Sequence, residues 1–247
     1  MRYADKRINS LAELITTLNR RAGSGPLWFR GQSNCEWPLV PQLGRRAADT
    51  EAEIALIKRF KQNALPHIVT RPSDEWEWLI LMQHYRLPTR LLDWSESPLA
   101  ALFFAVDERV DEDAALWCLD PIELNERANL KYPHSLEIPA FGHDHQIDNY
   151  DPTRIASEHT SDLNPVAVLA ARNSPRIAAQ QGAFTISHRT FTPIEDVEKG
   201  KHVWRMIIRS VSKERIQKEL EVIRFNRLTL FPELDVVAEE AQRYNRC

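Results

Sequence analysis

Glycine is scarce in this sequence, with seven residues in 247. Loops that cradle phosphate need several glycines at fixed offsets, and neither a Gly-x-Gly-x-x-Gly nor a Walker-type run occurs. A Gly-x-Ser-x-Gly elbow is also missing, which removes one common hydrolase arrangement. Cysteine is scarcer still: Cys35, Cys118 and Cys247 are odd in number and far apart. Their spacing makes neither a disulfide framework nor a metal site and fits a reducing, cytoplasmic setting. No apolar run approaches the length that spans a bilayer, so no membrane partner is expected. The longest such run, Pro98 to Val106, reads as a buried helix. The opening residues, Met1 to Arg7, hold no apolar stretch, so no signal peptide is expected. A large charge of one sign is lacking too. With a net charge of -3, the surface as a whole does not attract nucleic acid, although a local basic groove is compatible with that balance.

What is present is ordinary globular material, 43% hydrophobic and 27% charged, enough for a substantial core. Ser10 and Glu13 form a capping box, and Leu11, Leu14, Ile15 and Leu18 share one helical face. Gly23 and Gly25-Pro26 end that helix. Leu27 to Gly31 reads as a strand with Leu27, Phe29 and Gly31 on one face and Trp28 and Arg30 on the other. Glu51 to Ala64 is an amphipathic helix with Ile54, Ile57 and Phe60 inward. Ser73 is placed to cap a second helix ending near Tyr85. Thr89 to Asp93 and Ala114 to Leu119 read as strands, and Ser97-Pro98 opens a central helix to about Arg109. Pro121 to Pro165 has weak periodicity and reads as a loop-rich insertion or flap. Arg176 to Ser187 is strand-like with a bulge or turn at Gly182, and Val203 to Ile208 is a strand. Ser212 to Phe225 is a helix with Ile216, Leu220 and Ile223 inward, and a last helix runs through Val237 and Ala241. No repeat, low-complexity tract or linker appears, so one α+β domain is the simplest organisation.

Two segments break local rules. Leu27 to Gln32 and Gln83 to Trp94 place charged side chains inside apolar runs, which is costly unless they are paired or face a ligand. Such breaks mark functional sites. Arg30 suits bidentate capture of phosphate, and Gly31 beside it leaves room for a ligand at the backbone. The competing role for Arg30 is an ion pair with Asp93 or another acid. Arg90 and Asp93 lie three apart and so face opposite sides of a strand, one in a pocket and the other in a salt bridge. Asp93, Trp94 and Ser95 precede the Ser97 cap, where a helix N-terminus favours an anion. His84 and Tyr85 end a helix, either to stack on a ring and bond ribose or as a core aromatic and a dipole-favoured histidine. His143 and His145 lack further ligands at recognisable spacing, so no metal site is expected.

These segments carry a resemblance. Phe29-Arg30-Gly31 matches the signature for which the FRG domain family is named. The stretch Gln83-His84-Tyr85 to Arg90, Asp93 and Trp94, with Pro98 to Ala105 after it, resembles that family's most characteristic block. Arg176 to Thr185 and Leu230 to Asp235 are similar to later blocks, so the likeness runs from about residue 27 to 240. The resemblance divides the chain into an N-terminal helix, 1–26, and an FRG-like catalytic domain, 27–247, with the insertion at about 121–165.

The order of the blocks also resembles ADP-ribosyltransferases. That likeness implies a split central β-sheet flanked by helices, with NAD as substrate and no metal. It assigns catalytic roles to Arg30, Asp93 and Gln181, and cofactor contacts to Arg30, Gly31, Gln32, His84, Tyr85, Arg90, Trp94 and Ser95. Gln181 stands near the position of that family's late-strand glutamate. An amide there grips ribose but supplies no base, so Asp93, or Glu233 in the last block, is the alternative carboxylate.

The implied function is an NAD-dependent ADP-ribosyltransferase, a cytoplasmic toxin or antiphage effector restrained by an antitoxin protein. Its acceptor is a macromolecule, with RNA preferred because Arg45, Arg46, Arg86 and Arg90 cluster near the site. A protein acceptor, a non-catalytic nucleotide- or nucleic-acid-binding module and a nuclease-like effector are the alternatives.

Overall fold

Among the described residues, seven strands form one mixed sheet: β1 (Lys6–Ile8), β2 (Trp28–Gln32), β3 (Leu91–Ser95), β4 (Ala114–Leu119), β5 (Val166–Val168), β6 (Gly182–Ile186) and β7 (Val203–Ile208). Their spatial order is β1-β7-β4-β2-β3-β6-β5, with β1 parallel to β7 and every other pair antiparallel. The structure is a computed structural model that describes residues 2–21, 23, 25–46, 49–128, 130, 137–157 and 162–245. Cys247 and parts of the expected flap, at 129, 131–136 and 158–161, lie outside them.

The architecture is α+β. The sheet is one hydrogen-bonded body, yet its two halves meet at a single residue pair, Phe29 with Ser95. By contrast, β2 and β4 pair along five residues and β3 and β6 along five. The described residues before β2 hold a strand as well as a helix. β1 extends the sheet at β7, and the helix Leu11–Arg21 contributes Leu14 to the same core.

The alternation read for β2 is observed. Phe29 packs with the central helix Pro98–Val106, while Trp28 packs on the opposite face with Trp94, Trp117 and Val203. The central helix starts where Ser97 accepts a hydrogen bond from the Ala100 amide and Pro98 fills the first turn. Its Ala100, Ala101 and Ala105 are small enough to lie flat on β2. A third cluster covers the other half of the sheet, where Ile57, Trp76, Leu79 and Met82 meet Leu91, Phe184 and Ile186.

Several local expectations need correction. Asp74, not Ser73, caps the helix Glu75–His84, accepting from the Glu77 amide at 2.8 Å; Ser73 donates to the Glu77 carboxylate instead. The aspartate stands one residue closer to the first turn. Ile15 and Ile223 are exposed, because the helices bearing them bury Leu14, and Ile216 with Leu220. The central helix stops at Val106, short of Arg109. Arg176 to Gln180 is not strand: Ser174 caps a helical turn, Pro175–Ala179, and Gln181 turns the chain into β6 with φ of 47°. The expected insertion holds the helix Pro121–Arg127, capped by Asp120, and a second helix, Pro152–Ser157. β1 and β5, three residues each, are too short for an alternation to register.

Candidate functional site

Where β2 and β3 part, the sheet opens into a pocket of about 430 Å³. Its position follows from the single pair at Phe29 and Ser95, beyond which the strands no longer bond to each other. Arg30 reaches across this seam. Its Nη1 donates to the Asp93 backbone carbonyl at 2.7 Å and stands 4.0 Å from the Asp93 carboxylate. Its Nε is buried without a partner. Burial lowers the Arg30 guanidinium to about 10, against the pull of Asp93, and Arg45 pushes the same way. It remains charged at neutral pH, in a place where its charge is only partly answered.

Asp93 lies in the middle of β3 with 57% of its side chain exposed. Its Oδ2 accepts from Gln83 Nε2 at 2.8 Å, and Gln83 is held in turn by the Thr89 hydroxyl. The carboxylate is therefore oriented at one oxygen and open at the pocket. Gln83 and Arg45 line the same pocket, as do Arg86, Arg176 and His84. Arg45 donates through Nε to the Val40 carbonyl, which leaves the two-nitrogen end of its fork uncommitted to that bond. Burial lowers Arg45 and Arg176, and Asp93 is a charge that opposes the shift in both. His84 is pushed down by burial and then by Arg176.

Other expected residues have different roles. Arg90 is fully buried and belongs to the framework. It donates to Glu53 through Nε and through its backbone amide, and to the carbonyls of Ser187 and Tyr150 through Nη1 and Nη2. Arg90, just ahead of β3, thus makes a buried salt bridge, while Asp93 on β3 lines the pocket. Gly31 is glycine for packing, because an added Cβ would lie 1.9 Å from the Ala101 carbonyl oxygen and 2.6 Å from the Ala105 amide nitrogen. The helix occupies the space on the Cβ side, and Gly31 also borders the pocket.

Gln32 accepts from the Trp117 indole at 2.8 Å and is buried. Trp94 donates to Thr185 at 3.1 Å, and Ser95 donates to the Gln180 carbonyl at 2.6 Å. Gln32, Trp94 and Ser95 thus border the pocket with their side chains already committed. Tyr85 is 58% exposed and packs edge-on with His84, outside the lining. Gln181 is exposed and outside the lining as well, because its turn lifts it off β6; Gln180 lines the pocket in its place. Glu233 stands 3.9 Å from Arg176, outside the lining. Among the described residues, no cluster of His, Cys, Asp or Glu is arranged to hold a metal, at His143 and His145 or elsewhere.

Sequence reasoning missed Gln83, Arg176 and Trp37 as pocket residues. Gln83 had a signal, a polar side chain inside the last turn of an otherwise apolar helix. Trp37 lies just past β2 in a segment with no periodicity to place it, and Arg176, although it opens one of the blocks quoted above, comes from a segment distant in sequence.

A model of the FRG domain matches residues 25–114, which hold β2, Arg30, Arg45, Gln83 and Asp93. Neither the curated proteins nor the solved structures contain a match to the chain.

Proposed function

We propose that the seam pocket binds NAD and that the protein transfers its ADP-ribosyl group to a macromolecular acceptor. The observation that carries this reading is the Arg30–Asp93 pair at the open seam. A guanidinium with an unpartnered buried Nε stands beside a carboxylate that is oriented and solvent-accessible. Phosphate suits the first group, since a planar fork bonds two oxygens at once. Positive charge developing on a sugar ring suits the second. The volume is in the range of pockets that hold small ligands.

In this reading Arg30 grips a phosphate and Asp93 faces the sugar carbon that loses its nitrogen. The bond from that carbon to nicotinamide breaks, and nicotinamide leaves as a neutral molecule with the bonding pair. The acceptor's nucleophile forms the new bond and gives up its proton to water or to Asp93. Gln83 keeps the Asp93 carboxylate aimed. In a cell an enzyme of this kind acts as a toxin or antiphage effector, restrained by a partner protein.

One observation favours a second reading, binding without transfer. β6 (Gly182–Ile186) carries no carboxylate, so the late-strand glutamate of ADP-ribosyltransferases has no counterpart there. Nicotinamide release in the presence of cellular RNA and protein separates the two. Wild type is expected to release nicotinamide and to melt higher with NAD, and Arg30→Ala to lose both. An NAD-induced shift without release supports the binding module. A normal shift in Arg30→Ala makes Arg30 structural and sinks the proposal. Growth arrest on expression, relieved by Arg30→Ala, is the matching cellular result.

A further inference from the structure

The charges around Asp93 are unequal in number. Arg30, Arg45, Arg86 and Arg176 come from four different segments and line one pocket. Fully buried Arg90 is the internal comparison, since Glu53 answers its charge and two carbonyls take its remaining donors. The pocket arginines have no such arrangement. Arg45 and Arg86 form no ion pair among the described residues, and Arg176 has as ion pair only the long contact to Glu233, with its guanidinium 4.6 Å from the centre of the Phe231 ring. Asp93 is the carboxylate whose charge acts on Arg30, Arg45 and Arg176 together.

The arginines also sort into two pairs. Arg30 and Arg45 repel each other, and Arg176 is repelled by Arg86. Asp93 stands within reach of both pairs. One phosphate-bearing ligand held by Arg30 and Arg45 leaves Arg86 without an ion pair among the described residues and Arg176 only partly answered by Glu233.

Arg86 adds an independent sign. It occupies the left-handed position after the helix Glu75–His84, with φ of 63°. Glycine or asparagine is the usual occupant of that position, and a long side chain there is disfavoured. Strain kept at a pocket points to use. Tyr85, its neighbour in the chain, exposes 58% of its surface and packs tilted on Phe60 and edge-on to the pocket residue His84. Cations that follow a backbone and rings that stack on unpaired bases are the parts from which single-strand sites are made.

We propose that Arg86, Arg176 and the Tyr85 ring form an acceptor subsite that seats a phosphate and an adjoining unpaired base of single-stranded nucleic acid. The acceptor role rests on the transfer reading above, whereas binding at this subsite does not. A net charge of -3 makes the contact local, as a subsite beside the reacting carbon requires.

The test is fluorescence anisotropy with a short labelled single-stranded RNA, its DNA counterpart and a blunt duplex, at several salt concentrations. Wild type is expected to bind one or both single strands more tightly than the duplex. Arg86→Gly and Arg176→Gln are each expected to weaken single-strand binding roughly tenfold and to reduce the salt slope by about one. Tyr85→Ala is expected to weaken binding with the slope unchanged. Arg86→Gly places glycine where φ is already 63°, so it is expected to unfold no lower than wild type, which separates lost contacts from lost fold.

Wild type that ignores all three nucleic acids overturns the proposal, as do variants with wild-type affinity and slope. Capture of an acidic peptide in place of the oligonucleotides overturns it in favour of a protein acceptor. Failure of the NAD reading has a separate signature, single-strand binding intact with no NAD-induced shift in melting.

Discussion

Adding one methyl group at residue 31 tests how the two halves of the site are held. In Gly31→Ala the new Cβ would stand 1.9 Å from the Ala101 carbonyl oxygen and 2.6 Å from the Ala105 amide nitrogen, where real contacts essentially never fall below 3.0 Å. Both obstacles are backbone atoms, so no rotamer change relieves them. The helix Pro98–Val106 must lift from β2, and its other face is packed against Ile216 and Leu220. Overpacking a core costs about 1–3 kcal/mol and more where nothing can yield. A rigid obstacle on both counts places this change at roughly 3 kcal/mol or above. For a chain of this size each kcal/mol lowers the melting temperature by roughly 2–4 °C, so a drop of about 6–12 °C is expected by calorimetry. Ala101→Gly or Ala105→Gly added to the variant is not expected to restore it, because neither removes the clashing atom. A variant that melts within a degree or two of wild type, yet loses its ligand-induced shift, would refute the packing role and make Gly31, which also borders the pocket, a ligand-contact position.

Glu53→Gln keeps the shape of the buried partner of Arg90 but strands its charge, and is expected to cost about 3–5 kcal/mol in urea unfolding. An unchanged midpoint would show that Arg90 is held by its carbonyls alone. Asp93→Asn is expected to reduce nicotinamide release by orders of magnitude. Its side chain is 57% exposed, so stability is expected to move by less than about 1 kcal/mol, and a molten variant would end its assignment as a transfer residue. Burial holds His84, His188 and His202 below their ordinary value, so the folded chain binds fewer protons than the unfolded one as pH falls. Stability is therefore expected to decline below about pH 6.5, where unfolded histidine protonates, and to be regained above it. Urea midpoints flat across that range would contradict the sign.

Much of the local structure follows from short-range rules, and for that reason it can be read from the sequence. Ser97 and Pro98 specify a helix start by hydrogen-bond geometry within one turn. The alternation of Trp28, Phe29, Arg30 and Gly31 follows from the twofold period of a strand. Arg30 and Asp93 stand out in the sequence because a charge in an apolar run needs a partner or a ligand.

Which partner each charge receives was decided only in three dimensions. Arg90 meets Glu53 across 37 positions of chain, and no period links them. Gly31 is required by a helix about 70 positions later whose backbone lies against it. Arg176 comes to the pocket because its segment folds as a capped turn ahead of β6, where composition alone reads as strand. The seam itself depends on β2 pairing with β4 while β3 pairs with β6, so that the two strands carrying Arg30 and Asp93 share one pair and then diverge. Periodicity and capping act within a few residues and leave their mark in the sequence. Desolvation, charge pairing and strand order act between distant segments, and they take effect only when the chain closes on itself.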